Sequence, residues 1–287
     1  HYLIHSYDYP AIAQKGLAAA RSYANIAPAV PHALHMPSHI FTRLGLWQES
    51  IDTNRASAQA AQDALRGTPT VGAGSYHVLH ALDYMIYGHL QLVQDQAARQ
   101  IVDDVRAVNT TDVEQWGAAY ALAAIPARYV LERHRWDEAM SLQLHPKGLA
   151  WDRFPQAEAV TVFAHALGAA RNDKAAAARQ DAARLKALHD ALVTAGQAYW
   201  AEQVEIQRQV VAAWVARAAG KNDEAVKLMR SAAALEDAAE KPPVTPGPLV
   251  PARELLGELL LEVKQPAQAL QAFEASQRSE PNRFKGL

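Results

Sequence analysis

Three histidines, His32, His35 and His39, fall within eight residues of the stretch Pro31–Trp47, PHALHMPSHIFTRLGLW. A second segment carries His77 and His80, then Asp83 and Tyr87, and a third carries His1 and His5, four apart. Steps of three and four residues place side chains on one face of a helix. Neutral imidazoles in that arrangement can share a metal ion, and His35, His39, His80 and Asp83 are the candidate ligands. A catalytic centre would use three protein ligands and leave a position open for water. The same imidazoles, with Asp and Tyr beside them, could instead hold a carboxylate or a polar peptide by hydrogen bonds alone. No HExxH pattern is present. Each histidine taken singly also has a structural reading, as a cap or a hydrogen-bonded core residue. The bias is nonetheless real, because eight of the twelve histidines lie in the first 89 residues.

Bulk properties narrow the function classes. With 287 residues and 50% apolar composition, the chain can bury a large core. Its 28 basic and 30 acidic residues give a net charge of −2, which supplies no basic excess for a nucleic-acid partner. No run approaches the roughly eighteen apolar residues of a membrane span. The absence of cysteine removes disulfides, thiolate metal sites and cysteine nucleophiles. The chain starts at His1 in what reads as the middle of a helix, so upstream repeats are expected to be missing.

Helices must position these groups. Alanine-rich segments with apolar residues at three- and four-residue spacing run from end to end, without strand-like alternation, and this makes the chain all-α. The breaks are short, as at Gly45-Leu46, Asn172-Asp173, Gly220-Lys221-Asn222 and Gln265-Pro266. Two longer interruptions are Gly67–Gly74 and the insertion Lys241–Pro248, KPPVTPGP, whose four prolines forbid helix. The insertion reads as a rigid connector or as a lid over a groove, anchored through a charged pair between Arg253 and Glu254. Pro37 either begins a helix or kinks one, which bears on how His35 and His39 converge.

The last helix pair carries Leu256-Gly257, then Ala269, Phe273 and Pro281. This resembles the tetratricopeptide repeat, in which small residues let helix A and helix B approach and an aromatic fills the gap. The small residue that opens helix B recurs at Ser50, Ala98, Ala139, Ala177 and Ala225. MPSHIFTRLGLW at Met36–Trp47 also echoes IPARYVLERHRW at Ile125–Trp136, with Trp47 and Trp136 as packing corners. With the phrases HYLIH, HALHMPSHIF, YWAEQVEIQ and EDAAEKPPVTPGPLVPARELL, the chain is similar to a family of large bacterial tetratricopeptide-repeat proteins related to tetratricopeptide repeat protein 38.

The resemblance implies a single α-α solenoid over residues 1–287, a right-handed superhelix of about six to seven hairpins. It implies that helix A of each repeat lines a concave groove, at positions 18, 15 and 11 before the small residue of helix B. Counted from Ser50 these are His32, His35 and His39; from Ala98 they are His80, Asp83 and Tyr87; from Ala139 the last is Arg128. His77 lies one turn before His80. Arg128 would meet an anionic group or a salt-bridge partner. Glu202 and Glu205, with Tyr199 and Trp200, form a polar–aromatic patch; paired carboxylates can act as acid and base, but glutamates three apart on a helix read as a solvated face. The expected function is a binding module that takes a peptide, a protein or a small polar ligand at the histidine patch. The alternative is a metal-binding protein or metal-dependent enzyme that uses the same residues, with a divalent transition metal as its cofactor. Both bacterial cytoplasm and periplasm stay open.

Overall fold

A computed structural model describes residues 1–67, 74–239 and 244–287. Four short helices open the chain: α1 (Tyr2–Ser6), α2 (Leu17–Tyr23), α3 (Pro31–His35) and α4 (Pro37–Arg43). Pro37 starts α4, and Met36 between the two keeps helical dihedrals, so α3 and α4 run on almost as one helix. Longer helices follow: α5 (Trp47–Leu65), α6 (Tyr76–Gln91), α7 (Asp95–Arg106), α8 (Trp116–Glu132), the short α9 (Trp136–Ala139) and α10 (Pro155–Arg171). The last five are α11 (Ala175–Thr194), α12 (Ala198–Ala218), α13 (Asn222–Ala238), α14 (Ala252–Glu262) and α15 (Pro266–Ser279). The described residues contain no strand, only a bridge between Gly74 and Thr111.

Helices pack on their neighbours in sequence, α5 on α6, α10 on α11, and onward to α14 on α15, while α6, α8 and α10 also pack in a row. Alanine and glycine make this close approach possible. A Cβ on Gly88 would stand 2.9 Å from Ile51, and one on Gly257 would stand 2.5 Å from the Phe273 ring. The Leu-Gly and Phe positions of the last hairpin are thus in direct contact. Ser50, Ala98, Ala139, Ala225 and Ala269 are all buried; in α11 the buried small residue is Ala178, one position after Ala177.

The turns repeat more faithfully than the sequence does. Gly45, Val93, His134, Asp173, Gly196, Gly220 and Lys264 all have φ between +50° and +76°. Each lies two residues after one helix ends and two before the next begins. In every case the following amide reaches back five residues to a helix carbonyl, as in Gln94 to His89 at 2.9 Å and Gln265 to Leu260 at 2.8 Å. This is the Schellman closure, which demands one left-handed residue. Only three of these seven described turns supply glycine.

The tail returns to the front of the molecule. Arg43 at the end of α4 donates to both Glu280 carboxylate oxygens at 3.3 Å. Gly45 faces Asn282, and a Cβ there would come within 2.6 Å of it.

Val93 is a β-branched residue held at φ 57°, with its side chain half exposed. Replacing it with glycine removes the steric cost of the left-handed conformation and loses little packing. Val93→Gly is expected to raise stability by about 1 kcal/mol, read as a higher midpoint in thermal unfolding. An unchanged or lower midpoint would contradict the turn analysis.

Candidate functional site

The histidines of α1, α3, α4 and α6 meet in one place. His35 Nε2 lies 3.1 Å from His39 Nε2 and 3.0 Å from His80 Nε2. His35, His39 and His80 are all buried. His1 Nε2 stands 3.0 Å from His32 Nε2, and one ring nitrogen from each of His1, His5 and His32 lies within 4.8 Å of the other two. Ring contacts join the two groups, His5 to His39 at 4.9 Å and His32 to His35 at 6.1 Å between centroids.

The surrounding hydrogen bonds fix two of the tautomers. Asn54 on α5 donates its amide N–H to the Ser50 carbonyl at 2.8 Å, which turns its Oδ1 toward His35 Nδ1 at 2.7 Å. An amide oxygen only accepts, so His35 carries its proton on Nδ1. His39 Nδ1 lies 2.9 Å from Asp8 Oδ2, and Arg43 Nε donates to Asp8 Oδ1 at 3.0 Å. That carboxylate likewise only accepts, and the proton of His39 is on Nδ1. The Nε2 atoms of His35 and His39 therefore face each other across 3.1 Å. Burial, and then the neighbouring His80 and His39, push the His35 ring well below its ordinary value, which leaves its Nε2 as an acceptor. That lone pair can take a hydrogen bond from a neighbouring imidazole or coordinate a cation.

His32 is half-buried, and its basicity is lowered by burial and by His77 and His5. His77 lies beside Tyr76, the two rings tilted at 5.3 Å between centroids; burial lowers it too, against the opposing pull of Asp112. Tyr84 bridges the centre to the segment after α13, donating to the Thr245 carbonyl at 3.2 Å.

Asp83, Tyr87 and Arg128 belong to a separate polar network. Arg128 Nε donates to Asp83 Oδ1 at 2.7 Å, and its other nitrogens donate to the carbonyls of Pro248 at 2.8 Å and Gly247 at 3.1 Å. Asp83 faces Arg128 rather than the imidazoles, and Arg128 takes the salt-bridge option. The Tyr87 hydroxyl accepts from Arg283 Nη1 at 3.1 Å. Arg283, fully buried, also donates to Glu254 Oε1 and Glu132 Oε2, each at 2.7 Å. Burial pushes the Glu132 carboxyl up, but Arg283 and Lys285 outweigh it and bring it below the ordinary value.

The insertion Lys241–Pro248 falls partly outside the described residues, as does most of Gly67–Gly74. Its described part packs against α6 and α8, with Thr245 buried beside Tyr84 and Gly247 and Pro248 held by Arg128. Arg253 pairs with Asp237 at 2.9 Å, not with Glu254, because Arg283 already occupies that carboxylate. Asp8, Asn54 and Arg283 were not singled out by spacing. They come from other segments, and no periodicity marks them. Neither a protein-family model nor a curated protein sequence matches the chain.

Arg283→Met would leave Glu132 and Glu254 buried without their counter-charge, a loss of about 3–5 kcal/mol. Denaturant unfolding checks this. Adding Glu132→Gln and Glu254→Gln should recover part of the loss, and no recovery would mean that packing rather than charge dominates at Arg283.

Proposed function

We propose that this chain is a metal-binding α-solenoid of the tetratricopeptide type, a right-handed superhelix of hairpins with its metal centre on His35, His39 and His80. The observation that carries the reading is the approach of the His39 and His80 Nε2 atoms to the His35 Nε2, with the Nδ1 atoms of His35 and His39 held by the fixed acceptors Asn54 and Asp8. Two imidazole nitrogens on one tetrahedral ion stand about 3.3 Å apart, from metal–nitrogen bonds of about 2.0–2.1 Å. His35 stands 3.1 Å from His39 and 3.0 Å from His80, two separations close to that value, while the imidazoles whose ring nitrogens all lie within 4.8 Å of one another are those of His1, His5 and His32. Asn54 and Asp8 supply the outer hydrogen bonds that orient metal-bound histidines. An all-imidazole set suits zinc, copper, nickel or ferrous iron. Three such ligands leave one position for water or a substrate oxygen, the arrangement that lets an ion act as a Lewis acid.

The peptide-groove reading uses Asp83, Tyr87 and Arg128 as well as the histidines. Arg128 already engages Asp83, Gly247 and Pro248 engage Arg128, and Arg283 engages Tyr87, which favours the metal reading over that one.

Protein treated with a chelator and then titrated with zinc, copper and nickel ions should take up at least one of them stoichiometrically, with micromolar or tighter affinity. His35→Ala should weaken uptake about 100-fold or more, and Asn54→Leu about 10- to 100-fold, as expected for an outer partner of a ligand. Uptake should fall as pH drops below about 6.5, where free imidazole protonates. Absence of uptake, or undiminished uptake by His35→Ala, would refute the proposal.

A further inference from the structure

A cavity of about 400 Å³ opens among α10, α12, α13 and the segment after α13, and none of the histidines lines it. Its walls are largely apolar and aromatic: Tyr120, Phe163, Trp200, Leu249 and Val250 among them. Trp200 packs against Trp116 and Tyr120, with ring centroids 5.5 Å apart in each pair.

One wall group is out of keeping with that lining. Glu236 on α13 accepts the Ala252 N–H at 2.6 Å, and no basic side chain among the described residues pairs with it. The charges that act on it most strongly are those of Glu280, Asp237 and Glu254, all acidic. Burial, reinforced by these neighbours, pushes its carboxyl up to about 8. The basic wall residues are committed elsewhere or peripheral. Arg43 is held by Asp8 and Glu280, and Arg278 is exposed. Arg253, which feels the charge of Glu236, is paired with Asp237.

Two further groups point to a ligand with hydrogens to give. Gln156 and Gln207 line the cavity, and their amide oxygens accept no hydrogen bond from any described residue. Gln156 is only 6% exposed. Buried acceptors of this kind normally have a partner.

We propose that this cavity binds a protonated primary amine with an apolar body. Its ammonium group pairs with Glu236, the amides of Gln156 and Gln207 serve as acceptors, and its body lies against Tyr120 and Trp200. The chemistry discriminates among ligand classes. An anion would meet the acidic field of Glu236 and Glu280. A neutral hydrocarbon would leave the amide oxygens unpaired. A quaternary ammonium would suit the aromatic walls but has no N–H to donate. A primary ammonium satisfies all three features, and its charge restores Glu236 to the ionised form.

Phenethylamine is the probe, with 2-phenylethanol and 3-phenylpropionate as comparators carrying a neutral and an anionic head on the same body. Calorimetric titration of the full chain at pH 7 should show phenethylamine binding at least tenfold tighter than either comparator. Glu236→Gln keeps the side-chain shape, and its fold is checked by circular dichroism. It should weaken phenethylamine at least tenfold and leave 2-phenylethanol unchanged. Gln156→Leu should weaken the amine several-fold. Equal or tighter binding of 3-phenylpropionate, an unaltered amine affinity in Glu236→Gln, or no amine binding at millimolar concentration would each overturn the proposal.

Discussion

Arg283 is the constraint on which the closed form of the molecule depends. A guanidinium cannot shed its charge, and this one has no access to water. It is tolerated because two carboxylates and a phenol reach it from α6, α8 and α14, which gives every side of the fork a partner. Those partners lie as far as 196 positions away in the chain. Arg128 does the same for the segment after α13, and Arg43 for Glu280. The three arginines tie a row of helical hairpins together through contacts between distant segments of the chain.

The histidine centre is linked to that frame. Asp8 holds His39 with one oxygen and Arg43 with the other, and Arg43 continues to Glu280. Helix α6 serves both parts from one face: His80 reaches the imidazoles, Asp83 reaches Arg128, Tyr84 spans to Thr245 and Tyr87 meets Arg283. The four residues rise in order along the helix, from the candidate metal site to the arginine seam. The imidazoles are therefore oriented directly by Asn54 and Asp8, and Asp8 is in turn held by Arg43.

Sequence spacing revealed the helical plan and the neighbourhood of His32, His35, His39 and His80, because both follow the 3.6-residue period. It could not reveal Asp8, Asn54 or Glu280. Each joins the site through a contact between distant segments, and such contacts leave no periodic trace. Asp83 illustrates the opposite failure. It sits in the same row as His80, but one turn of helix carries it past the imidazoles and onto Arg128. The composition of the Lys241–Pro248 stretch signalled rigidity without saying where a rigid segment would lie. Within the patch of Tyr199, Trp200, Glu202 and Glu205, the two aromatics line the cavity, while both glutamates stay half-buried outside it and Glu205 pairs with Arg208.

An open solenoid gains stability hairpin by hairpin, since each unit touches only the next, and such chains can melt from their ends. The tail contacts with Arg43 and Gly45 change that behaviour. The last turn of the chain completes the surroundings of a carboxylate near its start, so neither end is free to fray while the other stays folded. Partial unfolding at the tail would be felt at His39, and the chain should gain or lose its imidazole cluster as a single cooperative unit. A fold built from local pieces thereby acquires the all-or-none character of a globular domain, with its folding rate tied to the closure of its longest loop.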